Sequence, residues 1–222
     1  MVDGDKWRHQ RKLASFEFST RNLHDFSYVV FRSNGVKLAK KISLLAAADE
    51  TMNLQDLLLK CTLDSIFKVG FGFDLDTLSG LDEANNQFMK AFDESNSLTF
   101  WRFVDLLWKV KRYFSVGPEE AELKKTIRMV DEFVYELIRN KRELMKDTNL
   151  HVGKFILLRL KSDRDKQGIL SRFLVESEND LENITDKYLR DITLKFVIAG
   201  KDISANTLTW FFYMLCKHPL IK

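Results

Sequence analysis

The chain has 222 residues, 45% of them hydrophobic, with 18 Phe and 4 Trp against 2 Pro and 9 Gly, a composition that excludes a disordered chain or a turn-rich β fold. Its 35 Lys and Arg against 32 Asp and Glu leave a formal charge of +3, so the net field carries no nucleic-acid footprint. Two cysteines, Cys61 and Cys216, are too few for a secreted disulfide scaffold and fit a reducing compartment.

A mainly α fold is therefore expected, and the periodicity predicts its elements in order. The first residues, Met-Val-Asp-Gly-Asp-Lys, lack the apolar run of a signal peptide. A helix is predicted from about Asp5 to Phe16, and a second from Ser19 or Arg21 to Ala47. After Asn53, the set Leu54, Leu57, Leu58, Cys61, Ile66 and Val69 recurs at three- and four-residue steps, one stripe of a helix that Gly70 and Gly72 end. A further helix runs from Leu81 or Asp82 to about Asp93. The aromatic stretch Phe100, Trp101, Phe103, Trp108, Tyr113 and Phe114 continues the pattern, and is read as core in preference to a lipid-facing entrance.

Gly117-Pro118-Glu119-Glu120 is a start signal: proline at the first helical position loses no bond, and the acids suit the helix dipole. Ile127, Val130, Val134, Leu137 and Ile138 mark one face of that helix, which is expected to fade near Lys146. Residues 147–168 read as a connection ending at Gly168, and Ile169 to Glu176 as a short helix. The last helix starts near Thr185, places Leu189, Ile192, Phe196, Ala199 and Ile203 along one face, and stops before Pro219. Residues 196–216 approach membrane-span length. Lys201 and Asp202 would each cost about 2.5–3.5 kcal/mol near a bilayer centre, so a buried helix is expected instead.

Two stretches carry candidate chemistry. Gly200 interrupts an apolar helical run at a cost of about 1 kcal/mol relative to alanine. With Ala199 beside it, the position needs space, either for another helix or for a flat ligand. Asp202 follows, an acid where burial requires a partner or a use. Near the N-terminus, Trp7 and Arg11 lie four apart on one helix face, where an indole N–H and a planar guanidinium can together hold a carboxylate.

Trp7-Arg-His-Gln-Arg11 and Ala199-Gly-Lys-Asp-Ile-Ser204, in this order, resemble two signatures of the cytochrome P450 monooxygenases. The likeness extends through Lys12 to Ser19, Cys61 to Phe67 with Gly70 to Gly72, Leu170 to Phe173 and Lys187 to Asp191, and its wording is most similar to the plant fatty-acid ω-hydroxylase clan. The resemblance implies a partial P450 domain over residues 1–222, with haem b as cofactor. It gives Trp7 and Arg11 the haem propionate, sets Ala199 and Gly200 over the haem, and makes Asp202 the acid that organises protons for oxygen cleavage, with Ser204 as the hydroxyl that takes the threonine's part only if it turns toward the pocket. Position 203 departs from the pattern, because Ile203 stands where the family has threonine and has no hydrogen-bonding group.

The resemblance also implies O2, a fatty-acid-like substrate, and NADPH-cytochrome P450 reductase, docked on a basic side to which Lys6, Arg8 and Lys12 contribute. Location follows as the cytosolic face of the endoplasmic reticulum membrane, through an N-terminal anchor expected outside this chain. The axial thiolate belongs to a downstream Phe-x-x-Gly-x-Arg-x-Cys-x-Gly loop that is expected to be absent here. Cys61 and Cys216 are read as small core hydrophobes, so no residue is assigned to the metal.

The competing reading is a non-catalytic helical remnant or interaction module without haem. On either reading uncovered apolar faces should make the isolated chain poorly soluble or partly molten. Glu136 and Arg139 are expected to form a surface ion pair. The four histidines lack zinc spacing, and the Asn183 sequon is expected to stay unmodified on the cytosolic side. Within the atypical 146–168 connection, the apolar run Asn149 to Leu160 is read as an insertion.

Overall fold

The computed structural model describes residues 4–15, 18–20, 23–114, 117–151, 168–179 and 184–218, and these form eight α-helices and no strand. They are α1 (Asp5–Ser15), α2 (Tyr28–Ala47), α3 (Leu54–Ile66), α4 (Glu83–Val104), α5 (Trp108–Phe114), α6 (Pro118–His151), α7 (Gly168–Asn179) and α8 (Asp186–Lys217). The mainly α expectation holds. A π-turn over Leu23–Ser27 leads into α2, and another over Phe67–Phe71 prolongs α3.

Local chemistry sets the starts. The Asn53 side chain accepts from the Asp56 N–H at 3.1 Å, Asp82 from those of Ala84 and Asn85, and Thr185 from that of Tyr188, each satisfying a donor that a helix start leaves free. Pro118 begins α6 as predicted.

The core lies where α3, α4, α6, α7 and α8 meet. Phe67 is fully buried, 5.7 Å from Phe88 in edge-to-face contact, and Phe88 stacks on Phe133 at 4.2 Å. Val134, Leu137 and Ile138 from α6, Phe173 from α7, and Leu189 and Val197 from α8 close around them. Burying each such side chain contributes about 1.5–3 kcal/mol. Gly168 is required for that closure: with φ +80, a Cβ there would meet the Gly70 carbonyl oxygen at 2.6 Å, so only glycine lets α7 start against the π-turn.

Polar bonds fix the other joints. Buried Asn34 of α2 donates to Ser65 of α3 at 3.0 Å. Asp64 accepts from the Thr77 hydroxyl and N–H and from the Leu78 N–H, holding the loop after α3; burial still pushes its carboxyl above the ordinary carboxylate range. Arg102 grips buried Glu120 with two bonds, tying the end of α4 to the start of α6.

Several expectations need correction. α6 does not fade near Lys146 but continues to His151, since the strong helix formers Arg142 to Lys146 carry it past the last apolar stripe. Gly168 opens α7 instead of ending a connection, and α7 reaches Asn179. Most of the aromatic stretch is not core: Phe100, Trp101, Phe103, Tyr113 and Phe114 are exposed and Trp108 is half-buried, because no described helix covers the outer side of α5 and of the end of α4. Glu136 and Arg139 form no ion pair, both being exposed and free to follow solvent. Cys216 is exposed on the last turn of α8, while Cys61 is half-buried with its thiol pushed up to about 11 by burial. The predicted face of α8 is buried at Leu189 and Ile192 but exposed at Ala199 and Ile203. Most of the Asn149 to Leu160 run and the Asn183 sequon lie outside the described residues.

Candidate functional site

α1 is seated by one flank. Buried Gln10 hydrogen-bonds with Tyr188 of α8, and the His9 Nε2 lies 3.6 Å from Glu176 of α7. Trp7 and Arg11 are thereby left on the outer side, with the guanidinium carbon 5.3 Å from the indole centroid and both residues exposed. The structure brings these two together as a cation beside an N–H donor, a set suited to an anion. Arg8 and Lys12, of the expected basic side, are exposed on the same helix.

On α8 the glycine has a structural use. A Cβ on Gly200 would lie 2.7 Å from Cγ1 and 2.8 Å from Cδ1 of Ile66, so the missing side chain admits α3 against α8. The space thus serves helix crossing. Ala199 and Ile203, one turn apart, point the other way and form an uncovered apolar strip. Asp202 sits on the flank between strip and core, its Oδ1 3.3 Å from Lys201 Nζ. Ser204 is exposed, roughly 100° around the helix from Ile203. The Thr207 hydroxyl donates to the Ile203 carbonyl at 2.8 Å and that of Thr62 to the Lys201 carbonyl at 2.9 Å, so two backbone oxygens within one turn of the helix accept side-chain bonds.

Sequence reasoning missed four members of this crossing. Lys201 is buried, bonded to Asp93 of α4, and Ile66 and Thr62 of α3 complete the crossing. A lysine inside an apolar helical run was a readable signal for a hidden carboxylate; nothing local singles out Asp93 as that carboxylate.

The two candidate sets are joined through α8 itself, along the eleven residues from Tyr188, which meets α1, to Ala199, or roughly 16 Å of helix. Neither set lines the cavities beside Trp101, Asp93, Tyr28 or Trp210. No group of three or more His, Cys, Asp or Glu among those residues is placed to hold a metal.

The family sequence model "Cytochrome P450" matches residues 1–222, the whole chain. The chain belongs to the cytochrome P450 family. It is 42% identical over 226 residues to cytochrome P450 704C1 of Pinus taeda, covering 100% of this chain and 41% of that protein. It is also 42% identical to cytochrome P450 704B1 of Arabidopsis thaliana, over 96% of this chain and 40% of that one. Cytochrome P450 94A2 of Vicia sativa is 33% identical, over 100% and 40%. The chain therefore spans about two fifths of the length of these relatives. Among the described residues no helix is long and apolar enough to cross a membrane.

The residues present suit the family's haem. Arg11 and the Trp7 indole offer a cation and a donor to an acid edge, and the small Ala199 on an open apolar strip offers a flat macrocycle a close seat.

Proposed function

We propose that this chain is part of a haem-thiolate monooxygenase that hydroxylates a fatty acid or similar aliphatic substrate, using O2 and electrons from NADPH-cytochrome P450 reductase. The observation that carries the reading is the open strip of Ala199 and Ile203 with Asp202 on its flank, at the family's small-Gly-x-acid position in a chain matched by the family model over its full length.

Trp7 and Arg11 would hold a haem propionate, and Ala199 would lie against the ring. When bound, the haem supplies oxygen activation. The protein's own residues bind, shield and move protons around it. Asp202 takes the proton-handling role, and Ser204 assists from the neighbouring flank. Ile203 excludes water but cannot relay a proton, since its side chain has no donor or acceptor. Neither cysteine is assigned as the axial ligand: Cys61 is half-buried within α3 and Cys216 stands on the last turn of α8, both outside the family's cysteine loop.

A membrane location is supported by the rim formed by the end of α4 and by α5. Phe103, Leu106, Tyr113 and Phe114 are exposed there, interleaved with Lys109, Lys111 and Arg112. The same rim is the proposed entrance for an aliphatic substrate.

In the haem-loaded enzyme with its reductase, NADPH use should exceed product formed, with the excess electrons appearing as peroxide, and Ile203→Thr should narrow the gap. Equal coupling before and after the change would overturn the role given to position 203. A thiolate-type Soret shift from this chain with haem, reductant and carbon monoxide would overturn the dismissal of Cys61 and Cys216.

A further inference from the structure

The family pattern leaves the residue between glycine and acid free, yet here it is one of the most deeply buried side chains in the molecule. Lys201 is 1% exposed. Its ammonium bonds to Asp93 of α4, lies 3.3 Å from Asp202 Oδ1, and sits 5.4 Å from the centroid of Phe92. Its backbone is held as well, by the Thr62 hydroxyl of α3. A buried ammonium is strongly disfavoured without partners, and the two carboxylates and the ring face supply them.

We propose that Lys201 is the positioning residue of the candidate site, tying Asp202 of α8 to Asp93 of α4 so that the acid cannot turn without releasing α4. The proposal rests on the reading of Asp202 as the proton-handling acid. Lysine suits the task because its point charge carries three donors on a flexible stem, and can serve two carboxylates that do not share a plane. The far end of the tether is reachable: Asp93 also lines a polar cavity with Asp56, Lys60, Glu83, Asn86 and Lys90, opening between α3 and α4. Movement of α4, which continues into the exposed aromatic rim, is in this way communicated to Asp202.

The test is carboxyl footprinting of the full chain, with a carbodiimide and a glycine ester as probe, read by mass spectrometry. Lys201→Met should raise Asp202 labelling several-fold, and Lys201→Arg should return it toward the wild-type rate. Asp93→Asn should act in the opposite direction, slowing Asp202 labelling, because the ammonium is then left to Asp202 alone. Buried Asp64 reports folding; if it labels in Lys201→Met, the Asp93→Asn result decides. Asp202 labelling unchanged by Asp93→Asn, with Asp64 protected, overturns the tether. No haem is needed, so the result stands apart from the Ile203→Thr coupling experiment, which tests the role of Asp202's surroundings in proton delivery.

Discussion

The two parts of α8 are both rich in apolar residues and have opposite fates. Up to Ala205 the helix is clamped, with Leu189, Thr193, Val197, Lys201 and Ala205 all buried against α3, α4, α6 and α7. Beyond it Trp210, Phe211, Tyr213 and Met214 are about half exposed. Gly200 and Lys201 are the hinge of this contrast: the first lets α3 in and the second binds α4. An apolar stripe states that a helix has a partner, but not whether that partner is within reach of the same packed unit.

The largest expected difference sharpens the contrast on the clamped side. Phe67 is fully buried between Phe71, Phe88 and Phe133, and Phe67→Ala should cost about 3–5 kcal/mol, the usual penalty for emptying an aromatic site in a close-packed core. Denaturant titration should show the midpoint falling steeply. A loss under about 1 kcal/mol would mean that the core is loosely packed.

Next comes the crossing itself. Gly200→Ala gains about 1 kcal/mol of helix propensity but drives a methyl into Ile66, an overpacking cost of about 1–3 kcal/mol. The net effect in the wild-type background is destabilising. In an Ile66→Ala background the same change should become stabilising, because the clash is gone and the propensity remains. Unchanged sign in the two backgrounds would show that the glycine does not serve the α3 contact.

These positions also show what was readable. Helix starts at Asn53, Pro118 and Thr185 were legible because capping is local chemistry. The space at Gly200 was legible too, but its occupant was not: helix and ligand ask for the same missing side chain, and the answer lies with Ile66, more than a hundred residues away. The aromatic run from Phe100 to Phe114 was misread as core because helical periodicity records amphipathicity without recording which side is covered. Trp7 and Arg11 were legible as a pair, since four residues always bring two side chains onto one face.

A smaller effect concerns pH. Burial, the largest influence, holds the Asp93 carboxyl above the ordinary carboxylate range, with the Lys201 bond pulling it back down. Its folded value thus lies above its unfolded value of 3.8, so the folded chain binds this proton more tightly. The destabilisation from an ionised, partly buried carboxylate is fully present above the folded value and fades as pH falls through it toward 3.8. Relative to Asp93→Asn, wild-type stability should therefore rise across that acidic window. A parallel pair of stability curves would show that the Lys201 bond fully offsets the burial of Asp93.

The smallest expected change in stability falls on the open half. Trp210 is 65% exposed, touching Tyr213 of its own helix at 5.5 Å between ring centroids. Trp210→Ser should therefore alter unfolding free energy by no more than about 0.5 kcal/mol, like other surface changes away from caps and buried partners. Its effect should appear in association instead. Phe211, Phe212, Tyr213 and Met214 are also exposed around the end of α8, apolar surface of the kind that drives self-association, so the serine variant should remain monomeric to higher concentration in sedimentation. If Trp210→Ser destabilised the fold as Phe67→Ala is expected to, the two halves of α8 would be packed alike, and the strip that Ala199 and Ile203 share with Trp210 would be closed to any ligand.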